Sequence, residues 1–170
     1  MRLLVFSLLL AAGPALAQDG PQYDAEGFAK CVADAEADLN AEAALRTCIG
    51  QASTLCMATP GGDTTVGMVQ CLDHEAQDWD KQLNRQYDRA LKAAKAADAE
   101  LAALGSAAEP AAPALQQAQR DWLAFRDSSC RYESLRYQGG TLGGPAAQDC
   151  VLQLTAQQAL RLRNIAESME

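Results

Sequence analysis

The sequence predicts an all-α protein, a disulfide-stapled antiparallel helical bundle of about three core helices preceded by an N-terminal helical pair. Three observations carry that expectation. Alanine is abundant and β-branched residues are sparse, a composition that favours helix over strand. Apolar residues recur at steps of three and four, and no alternating strand pattern occurs. All six cysteines follow an export-type leader, and an even count in an oxidising compartment reads as three disulfides.

The leader is MRLLVFSLLLAAGPALA, residues 1–17. It has a basic start at Arg2, an apolar run from Leu3 to Ala12, and Ala15-Leu16-Ala17 as an A-x-A site, so cleavage is expected before Gln18. The run is too short to span a bilayer, and no cysteine follows the cut to carry a lipid. A periplasmic or secreted chain without a membrane anchor is therefore expected, with residues 18–170 as one helical domain.

The N-terminal pair is expected over about Asp24–Asp38 and Ala41–Leu55. Its inner stripes are Phe28, Val32, Ala35 and Leu39, then Leu45, Ile49 and Ala52. The Gly/Pro/Thr stretch 57–67 reads as a loop. A long helix follows from about Met68 to Leu104, with Met68, Leu72, Glu75, Trp79, Leu83, Tyr87, Leu91 and Ala94 as its stripe. GSAAEPAAPA at 105–114 breaks it. The next helix carries Leu115, Ala118, Trp122, Phe125, Ser129 and Tyr132, and QGGTLGGP at 138–145 ends it. The last helix holds Val151, Leu154, Gln158, Leu162, Ile165 and Met169.

Loop geometry favours three disulfide pairs. The GGTLGG turn returns one helix beside the next, which pairs Cys130 with Cys150. Cys56–Cys71 closes the 57–67 loop, and Cys31–Cys48 crosses the first helical pair. Cys31–Cys56 with Cys48–Cys71 is the alternative.

The chain carries 14 Lys+Arg against 22 Asp+Glu, a net charge of −8. Without the leader, whose single charge is Arg2, the balance is 13 against 22, or −9. Such a surface repels nucleic acid and anionic lipid and attracts basic partners. No cofactor motif is present. Cys71-Leu72-Asp73-His74 is a C-x-x-H fragment, but His74 is the only histidine and export consumes thiolates, so no metal site is expected.

The segment QRDWLAFRDSSC, residues 119–130, places Trp122 and Phe125 between two Arg-Asp pairs. Its aromatics read as core. Asp127 and Arg131 are spaced to pair. Arg126 reads as a half-buried group that fixes helix register, lying against Trp79 or Tyr87 or taking a carboxylate such as Glu75.

Several pieces then join into one ordered string. They are Cys71, Glu75, Trp79-Asp80, Leu83-Asn84 and Tyr87, then Gln119-Arg120, Trp122, Phe125-Arg126-Asp127 and Cys130. Glu133, Gly139-Gly140, Cys150 and Leu154-Thr155 close it. The string resembles the lysozyme inhibitor LprI-like N-terminal domain family of exported bacterial helical proteins, over about Cys56 to Glu170. The N-terminal pair, residues 24–56 with Cys31 and Cys48, falls outside the pattern, which leaves 57–170 as the LprI-like core. Loop 57–67 is also longer than the pattern requires.

Catalysis finds little support. With one histidine and all six cysteines expected in disulfides, Ser-His or Cys-His chemistry has almost nothing to stand on. A pair of carboxylates such as Glu75 with Asp78 or Asp127 could in principle cleave glycosides. The expectation is a non-enzymatic binding protein, and the resemblance implies a lysozyme-type cell-wall hydrolase, a basic protein, as its partner. An envelope structural or interaction protein is the alternative. The candidate contact residues are Pro60, Gly61, Gly62, Asp63, Thr64 and Thr65 in the first loop, Gly139 and Gly140 in the second, and Arg126. Asp63 is the acidic group nearest a loop tip.

Overall fold

The structure, a computed structural model, describes residues 20–169; the expected leader, residues 1–17, lies outside them. Among the described residues there are six helices: α1 (Ala25–Glu36), α2 (Ala41–Cys48), α3 (Gln51–Met57), α4 (Thr65–Ala103), α5 (Ala111–Leu135) and α6 (Gly143–Ser168). The all-helical class is as the periodicity implies. No helix among the described residues is long and apolar enough to cross a membrane.

Helices α4, α5 and α6 form the bundle. The short α4–α5 and α5–α6 connections make α5 antiparallel to both neighbours. Helices α4 and α6 then run side by side from a common end, and theirs is the most extensive contact in the molecule. Helix α6 buries Leu152, Ala156, Ala159, Leu162 and Ala166. Arm α1–α3 packs on the α4–α6 face through Phe28, Val32, Ala35, Leu45 and Ala52, around Trp79 and Leu83 of α4. Phe28 meets Trp79 edge-on at 5.3 Å between ring centroids, the arrangement that the quadrupoles of aromatic rings favour.

Disulfides join Cys31 to Cys48, Cys56 to Cys71 and Cys130 to Cys150. They link α1 to α2, α3 to α4, and α5 to α6. Closing loops of this length stabilises the fold by about 3 kcal/mol each in the chain-entropy model.

The second helix of the expected pair is two helices. It breaks at Ile49–Gly50, where Gly50 takes φ +84°, a conformation that glycine adopts without steric cost. The break leaves the first N–H groups of α3 without a local partner, because Gly50 has no side chain to cap them. Glu75 of α4 supplies the acceptor: Gly50 N–H donates to its Oε1 at 2.7 Å and Ser53 N–H to its Oε2 at 2.6 Å.

Helix α4 caps a second neighbour in the same way. Pro110 provides no side-chain cap for α5, and both oxygens of Asp98 accept from Ala111 and Ala112 N–H at 2.7 and 2.9 Å. This cap starts α5 at Ala111, inside the stretch expected to be a linker. Pro113 lies within its first turn, where a missing N–H costs no hydrogen bond. Helix α6 also starts earlier than expected, at Gly143, with Pro145 in its first turn.

Five expected stripe positions face solvent, among them Ala118 of α5 and Met169 just past the end of α6. Leu39 lies between α1 and α2 and is fully exposed. Phe125 is 56% exposed and Tyr132 62%. The buried residues of α5 are Ala112, Gln119 and Cys130, a stripe turned away from the one its aromatics marked. Gln119 accepts from Gln158 Nε2 of α6 at 2.9 Å. The inward face of α5 is therefore partly polar and paired. Trp122 is half-buried and packs on the core.

Candidate functional site

Helix α3 ends at Met57, and the chain turns through 58–64 into α4. Thr64 caps α4, its Oγ1 accepting from Gly67 N–H at 3.0 Å while donating to Gly61 O at 2.8 Å. The loop lies directly on the first turn of α4: a Cβ on Gly67 would fall 2.0 Å from Gly61 O. Only glycine permits that approach. Cys56–Cys71 ties the two ends of this turn together.

The second glycine-rich loop, 136–142, joins α5 to α6, with Cys130–Cys150 behind it. Because α4 and α6 start at the same end of the bundle, the two loops are neighbours. A Cβ on Gly144 would fall 3.5 Å from Val69 Cγ2. Thr65, Val66 and Val69 face Thr141, Gly144 and Pro145 across a shallow concavity of about 290 Å³. Val66, Leu135, Tyr137 and Leu142 are exposed at this end, an apolar surface of the kind that marks interaction sites.

The candidate contact residues divide. Pro60, Gly61, Asp63, Gly139 and Gly140 are exposed in the two loops. Gly62 is buried against Cys56 and Met57, Thr64 is occupied by the cap, and Thr65 is the first residue of α4. These three shape the loop more than they present it.

Arg126 lies elsewhere. It sits ten residues before Arg136, roughly 15 Å along the helix from the second loop. It is not on Trp79, Tyr87 or Glu75. Its Cζ stacks over Trp122 at 5.3 Å from the ring centroid, and its Nη2 and Nε donate to Asp127 Oδ1 at 2.9 and 3.0 Å. Nη1 reaches Thr155 Oγ1 on α6 at 3.4 Å. Asp127 therefore pairs with Arg126, not with Arg131 as the spacing implied. This guanidinium lines a lateral groove of about 430 Å³ with Asp73, Asp80, Lys81 and Gln148.

The carboxylates considered for glycoside cleavage have structural partners. Glu75 is fully buried, and Trp79 Nε1 joins the two backbone donors on it at 3.2 Å. Asp78 accepts from Tyr23 Oη at 2.8 Å and pairs with Lys81. Burial, reinforced by the hydrogen bond and charge of Asp78, pushes the Tyr23 phenol well above its ordinary value. Cys71 is disulfide-bonded, and His74 stacks on Tyr23 at 5.2 Å.

Sequence reasoning placed Glu75 on the inner stripe without its role. The signal was an acidic residue among apolar ones, four before a tryptophan and facing a chain with a glycine break. It gave no warning of the exposed apolar residues around the second loop.

Residues 56–162 match the family model described as Lysozyme inhibitor LprI. An uncharacterized protein of Rhizobium meliloti (strain 1021) is 31% identical over 100 residues, covering 59% of this chain and 72% of that protein. No solved structure matches the chain significantly.

Proposed function

This chain belongs to the lysozyme inhibitor LprI family, and from that premise we propose that it is an exported acidic binding protein that inhibits lysozyme-type cell-wall hydrolases. The family match carries this reading. The family name and the disulfides both agree with a periplasmic or extracellular location. The chain acts by occupying its partner, with no chemistry of its own, and its contact surface is the end of the bundle where loops 58–64 and 136–142 meet.

Three features support the choice of surface. The loops are adjacent, each is held by a disulfide, and exposed apolar residues surround them. A contact held rigid before binding loses less conformational entropy on association. The net charge of −8 suits a strongly basic partner, speeding encounter, and Asp63 is an exposed acidic group of the first loop. Gly139 and Gly140 form the tip of the second. Arg126 serves the bundle and belongs to no contact in this reading.

Capture on immobilised lysozyme at low and high salt tests the proposal, run beside an assay of peptidoglycan hydrolysis by the protein itself. The expected result is capture that weakens as salt screens the attraction, with no hydrolysis. Hydrolysis by the purified protein would replace the inhibitor reading with a glycosidase. Absence of capture at any salt would leave an envelope interaction protein with another partner.

A further inference from the structure

A larger cavity lies on the arm that precedes the family match. It is a groove of about 460 Å³ between α1 on one side and α2–α3 on the other. One side is lined by Phe28, Cys31, Asp34 and Ala35 of α1, with Asp24 at its N-cap and Asp38 just past its C-terminus, along a helix roughly 18 Å long. The opposite wall is uncharged, with Ala44, Thr47, Gln51 and Leu55 among its residues. Phe28, Ala35, Ala52 and the Cys31–Cys48 disulfide make an apolar floor, and Leu55 is 62% exposed beside it.

The charge of the groove is one-sided. Asp24, Asp34 and Asp38 stand along the α1 wall against the single ammonium of Lys30, which pairs with Asp34. Both walls are fixed in advance, one to the other by Cys31–Cys48 and the α3 wall to the bundle by Glu75. An elongated, preformed trough with an apolar floor and one acidic wall matches the groove that takes an amphipathic helix. Complementarity requires a positively charged occupant.

We propose that this groove is a second docking surface whose occupant is a basic amphipathic protein segment. The segment lays an apolar stripe on the floor formed by Phe28, Ala35 and Ala52 and sets Lys or Arg side chains along Asp24, Asp34 and Asp38. The inference does not rest on the lysozyme reading, because every lining residue precedes Cys56, where the family match begins.

The test is calorimetric titration of the oxidised full chain with matched synthetic peptides of about three helical turns, one of Leu and Lys, one of Leu and Glu, one of Ser and Lys. The Leu/Lys peptide binds one-to-one, more weakly in high salt, and at least about tenfold more tightly than the other two. Thr47→Trp, at an exposed wall position, fills the groove and lowers that affinity at least about tenfold. Asp34→Lys lowers it similarly, and lysozyme capture is unchanged in both variants. Equal binding of the Leu/Glu or Ser/Lys peptide overturns the proposal. So do amide shifts confined to α4–α6, or affinity unmoved in both variants. Concentration-dependent dimerisation that Thr47→Trp abolishes would give the groove to a second copy of the chain and overturn it as well.

Discussion

The carboxylate of Glu75, in the N-terminal third of α4, accepts the backbone N–H of Ser53 in α3 at 2.6 Å. With Gly50 N–H on its other oxygen, it performs for α3 the task that a Ser or Asp at the N-cap position performs in an ordinary helix. The side chain comes from another helix, so the bond holds the arm to the bundle while it closes the helix end. Favourable placement of a negative group at a helix N-terminus adds to the effect.

Glu75→Ala should therefore be among the most destabilising single changes in the chain. It strands two backbone donors and Trp79 Nε1, and it opens a void beside Trp79. A loss of about 3 kcal/mol or more is expected from hydrogen bonds to a charged acceptor together with the unpaired groups. Asp98→Ala removes the corresponding cap of α5 at an exposed end, and should cost about 1 kcal/mol. Urea unfolding reads both, and amide exchange in α1–α3 should rise in Glu75→Ala far more than in Asp98→Ala.

Phe125 and Trp122 separate in the same way. Phe125→Ala should change stability by only about 0.5 kcal/mol, as an exposed substitution does. Trp122→Ala should cost roughly 2–3 kcal/mol, less than full burial would, because Trp122 is half-buried on the core. Equal losses in the two variants would restore the aromatic stripe as core.

Arg126 should not be replaceable by lysine. Its planar group lies over Trp122 while it pairs with Asp127 and reaches Thr155, and an ammonium supplies neither the stacking plane nor the fork. Arg126→Lys and Arg126→Ala should both lower stability by about 1 kcal/mol. Lysozyme capture should persist in both.

Tyr23 gives the alkaline limb of stability. Burial and the bond to Asp78 raise its phenol above the ordinary value of 10.0, so the folded chain holds this proton more tightly than the unfolded one. Its contribution is fully present below pH 10 and declines as the pH rises beyond it, because only the unfolded chain ionises there. Stability should fall above about pH 10 with a slope that Tyr23→Phe reduces. Ultraviolet titration of the four tyrosines should show one that ionises only as the fold is lost.

The fold was legible in the sequence where burial follows apolar spacing. Leu72, Trp79 and Leu83 of α4 and Leu162 of α6 are core as their period implies. It was not legible where a helix end is completed from a distance. Nothing local at Gly50 or Pro110 announces a cap, since the acceptors are 25 residues ahead in one case and lie 13 and 14 residues behind in the other. Helix α5 misled because its inward face uses Gln119 and Arg126, whose partners Gln158 and Thr155 are on α6. A rule that sends polar residues outward places the aromatics inside. Of the candidate site, the loops could be read from their glycines, whereas their adjacency follows from α4 and α6 starting at the same end, which is a property of the topology.

The most direct test of the central claim is an inhibition titration of several lysozyme classes with the oxidised protein, repeated with residues 58–63 replaced by a neutral linker of equal length. Thr64, Thr65 and Gly67 are kept so that the α4 cap survives. The account predicts one-to-one inhibition of at least one class, weaker in high salt and strongly reduced by the loop replacement in a chain that remains folded. Full activity of every lysozyme class at micromolar protein would contradict it.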